Sequence, residues 1–179
     1  MSKFVVRRKS HPPESSQDLK YSISSGADLD RGVVEGMLSA ARDATGGLFT
    51  TESMESLLGV FDAVGYDSLL AARSGDGALL GLAFAVSMDS ADKQRIGLED
   101  LVGSRVVEYS FFVDSSLHRS AVGSNLYNEL SAASAGYDAV ICVTHRNNAK
   151  ARRFFEGKGF TLTPSKLVEN VVYVKNLGK

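Results

Sequence analysis

The chain of 179 residues has one cysteine, Cys142, no tryptophan and three prolines. A single cysteine excludes an intramolecular disulfide and a cysteine-rich metal site. No apolar run approaches the roughly 20 residues that a membrane-spanning helix needs. Neither sign of charge dominates, with 20 Lys and Arg against 21 Asp and Glu, for a formal net charge of −1. A general polyanion binder carries a basic excess, so nucleic acid is not favoured as a partner. The start, residues 1–9, is charged without a following apolar stretch, and no signal peptide is expected there. These absences lead to the expectation of a cytoplasmic, metal-independent protein. With 44% hydrophobic and 23% charged residues, the composition is that of an ordinary globular chain. Its length suits one domain with a sizeable core.

Residues 10–18 read SHPPESSQD, whose prolines and small polar residues predict a flexible connection. Residues 1–18 are therefore expected to be a flexible N-terminal segment, and residues 19–179 a single domain. Residues 19–25 (LKYSISS) alternate and suit a strand. From Asp28 onward, Val33, Val34, Met37, Leu38 and Ala41 recur at helical spacing, until Gly46 and Gly47. Thr51 can N-cap a second helix with the stripe Met54, Leu57, Leu58 and Phe61. Residues 67–73 and 77–88 read as strands joined by a turn at Ser74–Gly77. The polar, charged residues 89–104 are expected to form a long loop. A strand at 105–113 (RVVEYSFFV), a helix at about 120–135, and a short buried strand at 138–143 follow. Asn147 or Asn148 caps another helix, which ends at Gly159. A strand begins at Phe160, and residues 170–176 form the last one. The strand–helix–strand unit across 105–143 implies two parallel strands with a right-handed crossover. The expected fold is α/β: a mixed, mostly antiparallel sheet of six to seven strands with helices on both faces.

Chemistry concentrates at residues 113–126, VDSSLHRSAVGSNL. A strand ends, small residues follow and a helix begins. That arrangement presents unpaired backbone N–H groups at the positive end of a helix dipole, which suits phosphate or pyrophosphate. Gly123 lacks a Cβ, and Ser120, Ala121 and Ser124 are small, so a ligand can approach the main chain. Arg119 can add a cation. The plainer alternative is a strand-to-helix connection with small residues for packing. The stretch is neither a P-loop nor a dinucleotide fingerprint.

Residues 113–126 resemble the signature of GNAT-type N-acetyltransferases, V-D-P-x-x-R/Q-x-x-G-x-G/A followed by a helix. Val113 and Asp114 match; His118 falls on the R/Q position, Ala121 on the first glycine and Gly123 on the second. Residues 148–160, NAKARRFFEGKGF, resemble the family's N-x-x-A-x-x-[LF]-Y-x-x-x-G-F, with Asn148, Ala151, Phe154, Gly159 and Phe160 matching. Gly81 in ALLGLAF resembles the family's third-strand glycine. The resemblance covers residues 19–177.

The resemblance implies acetyl-CoA as co-substrate and an amine as acceptor. It implies that His118, Arg119, Ser120, Ala121, Val122, Gly123 and Ser124 cradle the pyrophosphate, and that Phe112 and Val113 pair with the pantetheine arm. Asn148, Ala151 and Phe155 then line the other side. In such enzymes the amine attacks the thioester directly. An alkyl amine has a pKa near ~10.4, so a base helps at neutral pH. Glu108 is one candidate and His145, just past its strand, is another; each also reads as an ordinary non-catalytic residue. Glu108 and Val113 lie on opposite faces of a regular strand. The main-chain N–H of Val113 is a candidate for meeting the oxyanion. The family often has a tyrosine as general acid where this chain has Phe155, with Tyr127 and Tyr173 as unassigned substitutes. Phe155 and the weak His118 and Ala121 matches motivate an alternative, a non-catalytic acyl-CoA-binding module. A nucleotide-binding protein unrelated to CoA is a third class. Cys142 reads as a buried small hydrophobe. Dimers are frequent in the family, which suggests a homodimer.

Overall fold

The computed structural model describes residues 20–46, 48–64, 69–117 and 121–178. The described residues divide into two compact units, one within Met1–Phe84 and Phe111–Ala133, the other within Ala85–Ser110 and Ser134–Lys179. Its elements are β1 (Tyr21–Ser25), α1 (Arg31–Ala44), α2 (Thr51–Val64), β2 (Leu70–Ser74), β3 (Leu79–Met88) and α3 (Ser90–Ile96). These are followed by β4 (Val106–Val113), α4 (Val122–Ala133), β5 (Ala139–His145), α5 (Ala149–Gly157), β6 (Thr161–Thr163) and β7 (Asn170–Asn176). The seven strands form one sheet in the order β1-β2-β3-β4-β5-β7-β6. β4 and β5 are parallel, whereas β1 with β2, β2 with β3, β5 with β7 and β6 with β7 are antiparallel. The mixed α/β architecture follows the expectation from sequence.

In the first unit, Asp30 caps α1 by accepting the Val33 N–H at 2.9 Å. The inner stripe of α1, Val34 and Leu38, packs with Met54, Leu58 and Phe61 of α2 against Ala71, Leu82 and Phe84. Ala71 and Leu82 are cross-strand partners and so share that face. Gly81, the next residue, faces the other way, toward Val122 and Leu126 of α4. Helices thus cover both faces of this part of the sheet. Thr50, rather than the expected Thr51, caps α2: its hydroxyl accepts the Ser53 N–H at 3.1 Å, because Thr51 is already the first helical residue. The turn between β2 and β3 closes as expected, with the Ser74 N–H donating to the Ala78 carbonyl and Gly77 at φ 89°.

In the second unit, Ile96, Leu98, Val106, Ala139, Ile141 and Val172 form the core on one face. Tyr173 and its partner Cys142 lie on the other, where the ring of Phe155 of α5 is tilted against that of Tyr173 at 5.7 Å. Residues 89–104 are not the expected loop. They hold α3 and a 3-10 turn at Glu99–Leu101. Asp89 caps α3 through the Asp92 N–H at 2.8 Å, and Gly97 ends it in the left-handed conformation at φ 87°. Of the two buried positions of α3, Ile96 is apolar, but the other belongs to Lys93 and breaks the hydrophobic pattern. That residue is 3% exposed, and its ammonium donates to the Ser104 carbonyl at 2.7 Å and the Leu101 carbonyl at 3.3 Å.

Candidate functional site

The expected pyrophosphate cradle begins where β4 ends. The Asp114 N–H donates to the Leu80 carbonyl at 3.0 Å, which fixes the corner against β3. The Asp114 carboxylate accepts both the N–H (2.8 Å) and the hydroxyl (2.7 Å) of Ser116. The Ser116 amide, and then its hydroxyl, hold the Asp114 pKa below the usual aspartate value. The Leu117 N–H closes the turn onto the Asp114 carbonyl at 3.0 Å. His118, Arg119 and Ser120 lie outside the described residues. Ala121 is exposed, and its carbonyl accepts the Asn125 N–H at 2.9 Å, the first bond of α4. The N–H groups of Val122, Gly123 and Ser124 therefore fall in the first turn, where no acceptor exists within the helix.

Two contacts among the described residues seat that turn. A Cβ built on Gly81 would stand 3.2 Å from both Val122 Cγ1 and Leu126 Cδ1, and 3.0 Å from the Phe112 carbonyl oxygen. Only glycine lets α4 lie so close to β3. Asn125 also donates its side-chain amide to the Tyr21 hydroxyl on β1. Phe112 is half-buried, its ring 5.2 Å from Phe49 and 6.4 Å from Phe84. Val113 and Asp114 border a concavity of about 270 Å³, with Val33, Gly36, Met37, Ala40 and Ala41 of α1 on its opposite wall.

The second unit holds the remaining expected residues. Glu108 lies beside Ile141 in the parallel register that runs from Val106↔Ala139 to Glu108↔Ile141. Burial pushes its pKa up, the Arg95 cation opposes this, and the Asp92 carboxylate adds to it. His145 ends β5. Its Nδ1 accepts the Asn147 N–H at 3.1 Å, so in the neutral ring the proton sits on Nε2. Asn148 caps α5 by accepting the Ala151 N–H at 3.1 Å, which resolves the choice between the two asparagines. Ala151 is half-buried on the first turn. Phe155 is 6% exposed, with Phe154, Phe160 and Tyr173 at centroid distances of 5.8, 5.9 and 5.7 Å.

Tyr173 accepts from Arg152 Nε at 3.1 Å and donates to Glu156 Oε1 at 2.8 Å, so its proton is committed within the α5 surface. Burial raises its pKa. Cys142 is fully buried, and burial, reinforced by the Glu108 charge, pushes its thiol well above the ordinary value; such a thiol is not poised as a nucleophile. Among the described residues, no group of three or more His, Cys, Asp or Glu could hold a metal ion. No helix among them is long and apolar enough to cross a membrane. The structure thus brings Val113, Asp114, Ala121, Val122, Gly123 and Ser124 together in one unit, and His145, Asn148, Ala151 and Phe155 in the other. Sequence reasoning did not single out Asn125 or the partners of Tyr173. A pair 104 positions apart leaves no local signal.

No family model matches the chain, and no curated protein matches it. Solved structures do. A GNAT-family acetyltransferase from Listeria monocytogenes superposes with a TM-score of 0.66 at 15% identity, over 92% of this chain and 99% of that one. The protein yncA from Salmonella typhimurium, solved with its cofactor acetyl-CoA, gives 0.62 at 15% identity, over 89% and 95%. A GNAT phosphinothricin acetyltransferase from Sinorhizobium meliloti, in complex with acetyl-CoA, gives 0.62 at 15% identity, over 88% and 89%. The chain has the fold of the GNAT acetyltransferases.

Proposed function

We propose that the chain is an acetyl-CoA-dependent N-acetyltransferase that acts on an amine by direct attack. The observation that carries this reading is the turn at the start of α4. A helix of 12 residues presents the amides of Val122, Gly123 and Ser124, the preceding corner is tied down by Asp114, and Gly81 seats the turn on β3. Such an amide row at a helix N-terminus suits a pyrophosphate. In this reading His118, Arg119, Ser120 and Ala121 complete the cradle, while Phe112 and Val113 follow the pantetheine arm. Two acetyl-CoA complexes among the structural neighbours support the choice of ligand.

Acetyl-CoA supplies an activated acyl carbon. The amine nitrogen bonds to that carbon, the carbon–sulfur bond breaks and CoA leaves as thiolate or thiol. The proton lost by the amine needs an acceptor. Glu108 is the better supported one, since its burial raises its affinity for a proton. The lone pair of His145 Nδ1 already faces the Asn147 N–H. A main-chain N–H at Val113 would stabilise the oxyanion. No tyrosine stands at position 155, and the Tyr173 hydroxyl donates its proton in a hydrogen bond to Glu156. The thiol, with a pKa near ~8.5, leaves tolerably without an acid.

The same two tyrosine facts favour a second reading, a non-catalytic acyl-CoA-binding module. Thiol release from acetyl-CoA in the presence of a panel of primary amines decides between them. Amine-dependent release establishes the enzyme. Binding of acetyl-CoA without release across small-molecule and peptide amines favours the module. A homodimer is proposed on the family resemblance, and an elution mass of a monomer would contradict it.

A further inference from the structure

Among the described residues, the start of α4 makes two contacts of different kinds. One is apolar: Val122 and Leu126 rest on Gly81. Apolar contact is non-directional and permits the helix to roll about its own axis. The other is directional, the hydrogen bond from Asn125 Nδ2 to the Tyr21 hydroxyl. Asn125 directly follows Val122, Gly123 and Ser124, whose amides fall in the first turn. Tyr21 opens β1 and is fixed in the sheet opposite Ser74. Asparagine is a weaker helix former than alanine, and capping does not explain Asn125, since the Ala121 carbonyl opens the helix. Its bond to Tyr21 does explain it. Burial keeps the Tyr21 hydroxyl protonated, so it stays a neutral partner across the physiological range.

We infer that Tyr21, acting through Asn125, is a positioning residue for phosphate recognition: their bond fixes the roll of α4 and so aims the amides of Val122, Gly123 and Ser124. N–H···O bonds weaken steeply as they bend, so a small roll degrades all three amides together. This inference rests on the acetyl-CoA reading. It adds that the pair governs ligands carrying the pyrophosphate and leaves those lacking it unaffected.

The test titrates CoA and pantetheine, which lacks the phosphates, against the wild type, Tyr21→Phe, Asn125→Ala and the double variant. Tyr21→Phe keeps the ring, and Asn125→Ala improves helix propensity, so at least one variant folds. Each single variant is expected to bind CoA roughly three- to tenfold more weakly, the effect of losing one hydrogen bond. The double variant is expected to lose no more than either single one, because both remove the same bond. Pantetheine affinity is expected to stay at the wild-type level. Wild-type CoA binding in both single variants overturns the inference. Equal weakening of CoA and pantetheine also overturns it, because the pair is then merely structural. A wild type that ignores CoA overturns the acetyl-CoA reading itself, and this inference with it.

Discussion

Gly81 lies so close beneath Val122 that a Cβ on it would stand 3.2 Å from the valine Cγ1. The same Cβ would sit 3.0 Å from the Phe112 carbonyl, which is backbone and cannot rotate away. Gly81→Ala should therefore lift α4 from β3, with a cost of about 1–3 kcal/mol, as for other overpacked sites. Urea denaturation measures it, and CoA binding should weaken in parallel. An unchanged unfolding midpoint would show that the seat is looser than described.

Asp114 organises the corner before α4 through Ser116. Asp114→Ala should cost about 1 kcal/mol, in the range for a lost side-chain cap. The sign of the pH dependence follows from the lowered pKa. The stabilising contribution is complete above the unfolded aspartate value near ~3.9, and it is lost as pH falls through the lower folded value. The stability gap between wild type and Asp114→Ala should thus hold from pH 7 down to about pH 4 and narrow below it, as thermal midpoints across that range would reveal.

Glu108 carries the opposite sign. Its pKa is raised by burial, so ionising it opposes folding as pH rises through the folded value. Glu108→Gln should then be more stable than wild type at neutral pH, with the gain vanishing below the ordinary glutamate range near ~4.3. Under the proposed mechanism, with Glu108 as the base, its loss should also slow turnover by roughly 10²–10⁴-fold while CoA affinity is kept. A stabilised variant with full turnover would leave the glutamate structural.

Tyr173→Phe removes both the Arg152 and the Glu156 hydrogen bonds. A loss of about 1–2 kcal/mol in unfolding free energy is expected. Turnover should stay within about threefold of wild type, because the committed hydroxyl is not the proton donor. A collapse in turnover with CoA binding retained would return Tyr173 to the reaction.

Most of the fold was legible because period and propensity agreed. β7 matches its expected bounds, since its apolar run sits between Asn170 and Asn176, and the helical stripe at Val34 and Leu38 is buried as read. α3 was hidden because Lys93, a charged residue, fills a core position by ending on two carbonyls; its caps, Asp89 and Gly97, and the single apolar Ile96 were on view. Of the candidate site, the α4 turn could be read locally, as could a cap at Asn147 or Asn148, which the structure places at Asn148. The Tyr21–Asn125 and Arg152–Tyr173–Glu156 bonds could not, because they depend on which strand each helix lies against.

The most direct measurement is a thermal shift of wild type and Gly123→Trp with acetyl-CoA, CoA, NAD and ATP. A ligand at ~100 times its Kd adds ~2.7 kcal/mol of stability. The expected result is stabilisation of the wild type by acetyl-CoA and CoA alone, lost in a folded Gly123→Trp protein because the indole fills the amide row. No response to CoA, or a stronger response to NAD or ATP, would contradict the account.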